Sequence, residues 1–189
     1  IRLFKKVNGR TEVVKLIKKI VIPLTEISEN LRKMAPHYDK IFELNEEKKA
    51  LIVHRPISRE TARALKGCCK EEEIENYISK SQDIFTIEEL NSLNMYVQRT
   101  RGEILFARKW ILYEGQTEEV IIHFCADKLG YNVEQYGISG IFYRTNGSAG
   151  AFVKLARVLG IEWVLLGDRD KQGQSTIIEL ENCGCSQEE

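Results

Sequence analysis

The sequence lacks several features that identify common classes of protein. It has no signal peptide and no run of about eighteen apolar residues, so we predict no segment that spans or crosses a membrane. Its 28 basic and 28 acidic residues cancel, which excludes an overall basic field that would attract nucleic acid to the whole surface. Its three histidines stand outside any zinc-ligand spacing. A polyanionic partner would therefore have to be bound by a local site.

Cysteine usage argues against a disulfide framework. There are five cysteines, an odd number, with Cys68 next to Cys69 and Cys183 two residues before Cys185. In a chain without secretory features, this pattern favours reduced thiols and a cytoplasmic location. The first residue is Ile1 rather than methionine, and 189 residues are enough for one α/β domain with a helical annex. We therefore expect a soluble part of a larger protein.

Two β-favouring runs flank Asn8 and Gly9, the dipeptide that most readily forms a type I′ turn. The pattern predicts a β-hairpin in residues 1–20. Because two strands alone bury little surface, we expect this hairpin to complete a sheet of an upstream domain.

Residues 21–108 show short helical patterns, each with one apolar stripe, and predict a mainly helical segment. Within it, the apolar run 50–53 is compatible with a strand or a buried turn. Residues 86–106 predict one long helix, which starts with a capping box formed by Thr86 and Glu89. We expect the segment to pack against a neighbouring domain or against a second copy of the chain.

Residues 109–189 read as an α/β domain with the order β-α-β-α-β. An apolar strand ends in Glu114, and a later one ends in G-D-R-D, which contains Asp168 and Asp170. The carboxyl ends of parallel strands share one edge of a sheet, and ligands bind in the crevice outside that edge. The sequence therefore predicts a parallel, Rossmann-like sheet flanked by helices, with these acids close together in space.

The acids form a candidate site for hard cations. Asp168 and Asp170 are two residues apart, so in extended backbone both side chains point to one side. The turn at Gly115 would bring Glu118 back over the same edge, although Glu118 is also a favourable partner for a helix dipole. Crowded carboxylates repel one another, and Mg²⁺ or Mn²⁺ relieves that repulsion. The pattern predicts one or two such ions.

The helices of this segment carry further predictions. Thr117 is placed to cap the first helix. In the turn R-T-N-G-S-A-G, Gly147 permits a close approach of backbone and ligand, and Ser148 caps a helix whose amino end would face a phosphate, unless the turn is an ordinary capped loop. Core positions are predicted at helical spacing in both helices: Val120, Ile121, Phe124, Leu129, Phe152, Leu155 and Leu159.

A glutamate after the first strand, a Gly/Ser loop after the second and D-x-D after the third resemble the Toprim domain of topoisomerases, primases and recombination nucleases. The longer string F-A-R-K-W-I-L-Y-E-G-Q-T-E-E, with I-R-L-F-K-K-V-N-G-R-T upstream, is similar to the overcoming-lysogenization-defect (OLD) family. Proteins of that family join an ABC-type ATPase to a C-terminal Toprim nuclease, and relatives serve in phage defence. The resemblance covers residues 103–173 well and residues 1–16 in part.

The resemblance implies a metal-dependent DNA endonuclease with two Mg²⁺ or Mn²⁺ ions. The implied partners are DNA, a second copy in a homodimer, an upstream ABC-type ATPase domain that ends in residues 1–20, and a partner protein of a defence system. The implied catalytic residues are Glu114, Asp168 and Asp170, the metal ligands are these three and Glu118, and the residues near phosphate are Gly147, Ser148 and Lys171.

The sequence also departs from this family. It has no Walker A motif, so ATP would bind only through the upstream domain. The family pattern continues beyond D-x-D with another acidic ligand and a basic residue, and Glu179, Glu181 and Lys171 are weak substitutes for them. We therefore expect residues 109–189 to be a Toprim domain that is incomplete at its carboxyl end, so its activity in isolation stays open.

Three other interpretations remain open at this point. A phosphatase of the haloacid dehalogenase type also uses D-x-D, but on its first strand and with a different following residue. A topoisomerase or primase would share the Toprim acids but needs further domains. In a non-enzymatic nucleic-acid-binding or assembly module, the helical segment would mediate assembly and the acids would have no catalytic role.

Overall fold

A computed structural model of the chain describes residues 3–7 and 10–185. The described residues form two compact units. The first contains the residues up to 15 together with residues 88–180, and the second contains residues 16–87 and 181–185. The sequence predicted domain boundaries at 20/21 and 108/109, which divide the chain into three consecutive segments. These boundaries stay predictions.

The hairpin predicted near the amino end is confirmed. Strand β1 (Leu3–Val7) pairs in antiparallel fashion with β2 (Arg10–Val14), and Val7 lies opposite Arg10. Two residues therefore connect the strands, as a tight hairpin requires. The predicted type I′ turn at Asn8 and Gly9 lies outside the described residues.

The second unit combines an antiparallel sheet with short helices. Its sheet has the order β3-β5-β4, with β3 at Ile20–Pro23, β4 at Phe42–Asn45 and β5 at Ala50–Val53. All four residues of the central strand β5 are buried. Its helices are α1 (Glu29–Met34), α2 (Arg59–Lys66) and α3 (Glu71–Ser81). The run 50–53 is thus a strand, and the segment is less purely helical than its sequence indicated.

The long helix predicted over residues 86–106 is wrong in its length. Helix α4 covers Ile87–Arg99, and a separate 3-10 turn covers Glu103–Phe106. Between them, Arg101 and Gly102 both have positive φ. A glycine in left-handed conformation commonly ends a helix because it lacks the Cβ that would clash there. The apolar spacing continues past this point, but the helix does not.

The rest of the first unit is the predicted α/β segment. Strand β6 (Lys109–Tyr113) is followed by α5 (Gln116–Lys128), β7 (Ile138–Phe142), α6 (Ala149–Leu159), β8 (Glu162–Leu166) and α7 (Lys171–Asn182). The three strands are parallel in the order β7-β6-β8. The predicted α/β class and parallel sheet are confirmed.

Helices α5 and α6 differ in how they pack. Eight consecutive residues of α6 are buried, and Phe152 in this stretch contacts the rings of Tyr96 and Trp110 edge to face. The predicted core positions in α5 and after its end are wrong, because these side chains are between 50% and 71% exposed: Val120, Ile121, Phe124 and Leu129. Val120, Ile121 and Phe124 lie within about 100° of one another around the helix, so they share one face, and that face is exposed.

Candidate metal centre at the carboxyl edge of the parallel sheet

The register of the sheet places three chain segments side by side. Tyr113 is the partner of both Phe142 on β7 and Leu166 on β8, so the three strands end at one level. The next residues are Glu114, Tyr143 and Gly167. The pairing continues one step further between the first two strands, because the amide of Tyr143 donates to the carbonyl of Tyr113 at 3.2 Å. The carboxyl edge predicted from the sequence is therefore built from these three segments.

Glu114 is the most buried carboxylate of this edge, with 5% of its surface exposed. Its Oε1 accepts a hydrogen bond of 3.0 Å from the hydroxyl of Tyr143, and its Oε2 lies 3.9 Å from Nη1 of Arg144. Burial of a charge is unfavourable unless hydrogen bonds or opposite charge compensate it. In the part of the chain that the structure describes, this compensation comes from one neutral donor and one cation beyond hydrogen-bond distance.

Tyr143 keeps its proton in this environment. Burial raises the pKa of its phenol above the ordinary value, and the neighbouring carboxylate of Glu114 acts in the same direction. Its Oη also lies 3.3 Å from Oγ1 of Thr176 on α7. A protonated hydroxyl can donate to Glu114 throughout the physiological pH range, and it therefore holds that carboxylate in one orientation.

The end of β8 lies directly beside Glu114. A Cβ placed on Gly167 would be 3.4 Å from Oε1 of Glu114, and Asp168 is the next residue. The chain then turns sharply into α7, since a Cβ on Gly173 would lie 1.8 Å from the carbonyl oxygen of Asp168. Only glycine fits this turn, which brings the first turn of α7 back onto the D-x-D segment.

Asp170 caps α7. Its Oδ1 accepts hydrogen bonds of 2.8 Å from the amides of both Gln172 and Gly173. A carboxylate at this position satisfies amide groups that have no partner inside the helix and interacts favourably with the helix dipole. Asp168 is exposed at the same edge, and Lys171 is the exposed first residue of the helix.

Glu118 folds back over the turn that follows Glu114, as the sequence predicted. A Cβ on Gly115 would be 2.9 Å from Oε2 of Glu118, so the carboxylate lies against that glycine. Helix α5 starts at Gln116 with Gly115 at the N-cap and no side-chain cap. The predicted capping role of Thr117 is therefore wrong, and this residue lies within the first helical turn.

The donor set of this edge fits a hard divalent cation in its chemistry. Mg²⁺ and Mn²⁺ prefer oxygen ligands, and the edge presents a buried glutamate, a second glutamate over the adjoining turn and two aspartates after β8. Within residues 3–7 and 10–185, however, no three acidic, histidine or cysteine side chains lie close enough together to hold a metal ion. The structure thus brings the four predicted ligands to one edge without collecting them into one cluster: Glu114, Glu118, Asp168 and Asp170.

The loop after β7 places Gly147 and Ser148 at the amino end of α6. Gly147 has a φ of 140°, and Oγ of Ser148 accepts a hydrogen bond from the amide of Ala151. The amide of Gly150 donates at 2.8 Å to Oε1 of Glu179, which comes from α7. A phosphate at this helix end would compete with that carboxylate, and the predicted phosphate-binding role of the loop stays a prediction.

The sequence indicated no role for Tyr143, and it placed Arg144 at this edge only as the first residue of the turn R-T-N-G-S-A-G. Both follow the second strand, and Tyr143 is at the position that corresponds to Glu114 after the first strand and Gly167 after the third. For Tyr143 that correspondence was the available signal, and for Arg144 it was the place of this residue at the start of the turn.

The strands and acids of this edge lie inside a stretch that matches one known domain family. Residues 105–170 match the family described as "Overcoming lysogenization defect protein-like, TOPRIM domain". The resemblance to an OLD-like Toprim domain is thereby confirmed for this stretch, which contains all three parallel strands and the four acids. Toprim domains are generally metal-binding domains of nuclease or primase type. At the family level, the match indicates a metal-dependent function on nucleic acid.

One curated relative extends the comparison. The chain is 36% identical over 87 residues to "Uncharacterized protein YbjD" of Escherichia coli (strain K12). The aligned part makes up 46% of this chain and 16% of that relative, so the chain spans a small part of the relative's length. No solved structure matches the chain. In the part of the chain that the structure describes, no helix is both long enough and apolar enough to cross a membrane.

Proposed function

We propose that this chain carries catalytic residues of a metal-dependent DNA endonuclease of the OLD type. The observation that carries the proposal is the position of Glu114. This buried carboxylate ends the central strand of the OLD-like Toprim stretch and lies against Gly167, the residue before Asp168. A buried charge is unfavourable unless it is compensated, and cation binding gives a physical reason for its presence.

Glu114, Asp168 and Asp170 would hold the divalent cations, with Glu118 as a further ligand. When bound, Mg²⁺ or Mn²⁺ ions at such a site supply a Lewis acid that activates water and stabilises the leaving oxygen of a phosphodiester. Tyr143 would orient Oε1 of Glu114 through its hydroxyl. The hydrogen bonds from Gln172 and Gly173 would hold Asp170 at the end of the sheet through one carboxylate oxygen.

DNA is the proposed substrate, because phosphodiester cleavage is the reaction that this metal chemistry and this domain type share. ATP would act through an upstream ABC-type ATPase domain, and a second copy of the chain would complete a homodimer. A role in defence against phage, together with a partner protein, belongs to the same proposal. Gly147, Ser148 and Lys171 are the proposed contacts to the DNA phosphates, since all three lie at or beside the carboxyl edge.

The test is plasmid nicking by the complete protein in the presence of Mg²⁺ or Mn²⁺. We expect Glu114→Gln and Asp168→Asn to lower the nicking rate by about a hundredfold or more, because each change removes one negative charge from the metal site. Glu162→Gln is the matched control, because Glu162 starts β8 at the opposite edge of the sheet. Wild-type rates in both site variants would refute the proposal.

A phosphotransferase of the haloacid dehalogenase type is the alternative enzyme. That chemistry uses an aspartate nucleophile after the first strand, whereas here the first strand of the parallel sheet ends in Glu114 and D-x-D follows the third. Trapping of a phosphoaspartate analogue with beryllium fluoride would favour this alternative. Absence of both metal-induced stabilisation and nicking in the complete protein would favour a non-enzymatic module.

A further inference from the structure

Arg144 lies at the same edge as the proposed metal ligands, and it is the first residue of the turn R-T-N-G-S-A-G. It follows Tyr143, whose backbone pairs with β6 just before Glu114. Its Nη1 lies 3.9 Å from Oε2 of Glu114, and 50% of its side-chain surface is exposed. The guanidinium therefore lies at the boundary between the buried carboxylate and solvent, where a ligand approaching the edge would meet it.

The guanidinium is oriented from the other side by α7. Its Nη2 donates a hydrogen bond to Oε1 of Gln172, and the amide of Gln172 in turn donates to Asp170. Arg144 thus connects the glutamate after the first strand with the helix turn that follows D-x-D. Among the described residues, Nη1 of Arg144 forms an ion pair with Glu114 but no hydrogen bond. Its N–H groups therefore stay available for a ligand.

We propose that Arg144 binds a phosphate of the nucleic-acid strand at this edge and that Gln172 positions it for this role. A guanidinium is planar, carries a permanent charge and presents its donors as a fork that matches phosphate oxygens. The attraction to Glu114 holds the cation at the edge without using up those donors. This inference rests on the proposed nuclease function, and it assigns the contact to the phosphate backbone, so it predicts no base preference.

The rival role for Arg144 is that of a counter-ion which only neutralises Glu114. The two roles differ in what removal of the side chain does. A phosphate contact contributes to the salt dependence of DNA binding, because each neutralised phosphate releases counterions. A counter-ion of Glu114 contributes nothing to that dependence, and its removal would instead strengthen the binding of divalent cations.

The experiment measures binding of the complete protein to a labelled DNA duplex by fluorescence anisotropy. Ca²⁺ replaces Mg²⁺ so that the duplex stays intact, and salt is varied between about 50 and about 200 mM. For Arg144→Ala, we expect affinity to fall by about tenfold and the slope of log affinity against log salt to decrease by about 1. Arg144→Lys should retain the slope, because it keeps the charge, but lose part of the affinity with the forked geometry.

Two further variants complete the design. Gln172→Ala should weaken binding by a smaller factor and leave the slope unchanged, since the positive charge remains. Lys128→Ala is the matched control, because it removes one positive charge at the carboxyl end of α5, away from the edge, and it should behave like wild type. If Arg144→Ala does not fold, the affinities of Arg144→Lys and Gln172→Ala for the DNA duplex still test whether the shape and orientation of the guanidinium matter for binding.

The outcomes separate this inference from the proposed function. Suppose that the wild-type protein nicks DNA and that Arg144→Ala binds DNA with wild-type affinity and a wild-type salt slope. The proposed role of Arg144 would then be refuted, and the proposed nuclease function would not. If Arg144→Ala has an unchanged salt slope and needs less Mn²⁺ than the wild type, Arg144 is a counter-ion of Glu114. The proposed contact between Arg144 and phosphate would then be refuted. A wild-type protein that binds DNA but never nicks it would count against the nuclease, while the slope still tests the phosphate contact.

Discussion

The ion pair between Lys154 on α6 and Glu89 on α4 provides a stringent test of how the helices of the first unit pack. Nζ of Lys154 lies 2.8 and 3.0 Å from the two carboxylate oxygens, and the exposed side-chain fractions are 2% and 17%. Glu89→Ala removes the carboxylate and leaves a buried ammonium group. Loss of one partner of a buried pair costs about 3–5 kcal/mol, and because Glu89 is slightly exposed we expect a loss of about 3 kcal/mol.

The measurement is the free energy of unfolding from urea titration, with the melting temperature as a second readout. The double variant Lys154→Met with Glu89→Leu should regain most of the lost stability, because apolar side chains of similar volume replace a buried pair at little net cost. Lys109→Met is the matched control. Lys109 pairs with Glu162 on the surface, where the exposed fractions are 59% and 73%, and its loss should cost less than about 1 kcal/mol. Equal losses in Glu89→Ala and in the control would refute the idea that burial makes the inner pair important.

Further predictions concern the edge itself. Gly173→Ala should abolish nicking and lower stability, because its Cβ would collide with the backbone at Asp168; normal activity and melting temperature would contradict this. Tyr143→Phe should lower nicking by about tenfold, since a hydrogen bond to a charged group contributes about 1.5–3 kcal/mol, and a wild-type rate would show that Glu114 needs no such donor. Mn²⁺ at about 100 times its dissociation constant should stabilise the wild type by about 2.7 kcal/mol but not Glu114→Gln; equal stabilisation would place the ion elsewhere. Burial raises the pKa values of Tyr113 and Tyr143, so the folded form keeps protons that the unfolded form loses, and stability should fall as pH rises above about 10. Urea titrations of the two Tyr→Phe variants should show a shallower fall than wild type.

The sequence was most informative where one physical pattern dominated. The strands of the parallel sheet are short apolar runs between turn residues, and parallel connection forces their carboxyl ends to one edge, so the convergence of Glu114 with the D-x-D segment followed from topology alone. The hairpin was predictable for a similar reason, because its two-residue connection allows one register.

Other features depended on contacts that local patterns do not contain. The strands β3 and β4 have only four residues each, too few for periodicity to be distinct, and they are stabilised by pairing with the buried β5. The end of α4 is set by left-handed backbone at Arg101 and Gly102, although the apolar spacing continues beyond it. The environment of α5 could not be read from hydrophobicity, because its apolar face of Val120, Ile121 and Phe124 is exposed.

At the site, the sequence indicated the acids but not their partners. The hydroxyl that orients Glu114 comes from Tyr143, and the group that orients Arg144 comes from Gln172, each from a separate element. Such pairs arise from sheet register and helix placement, and no spacing rule along the chain predicts them. The side-chain cap of α7 by Asp170 was likewise not predicted, although an aspartate just before a helix is a recognisable local signal.

Helix α7 touches three different parts of the edge through one of its sides. Gln172 contacts Arg144, Thr176 lies beside the hydroxyl of Tyr143, and Glu179 accepts from the amide of Gly150 at the start of α6. These positions are four and three residues apart, so they form a single row along the helix. A shift of this helix along its axis would break all three contacts together. The loops after β7 and β8 are therefore coupled through α7. A molecule that binds α7 and shifts it would change the geometry of the whole edge.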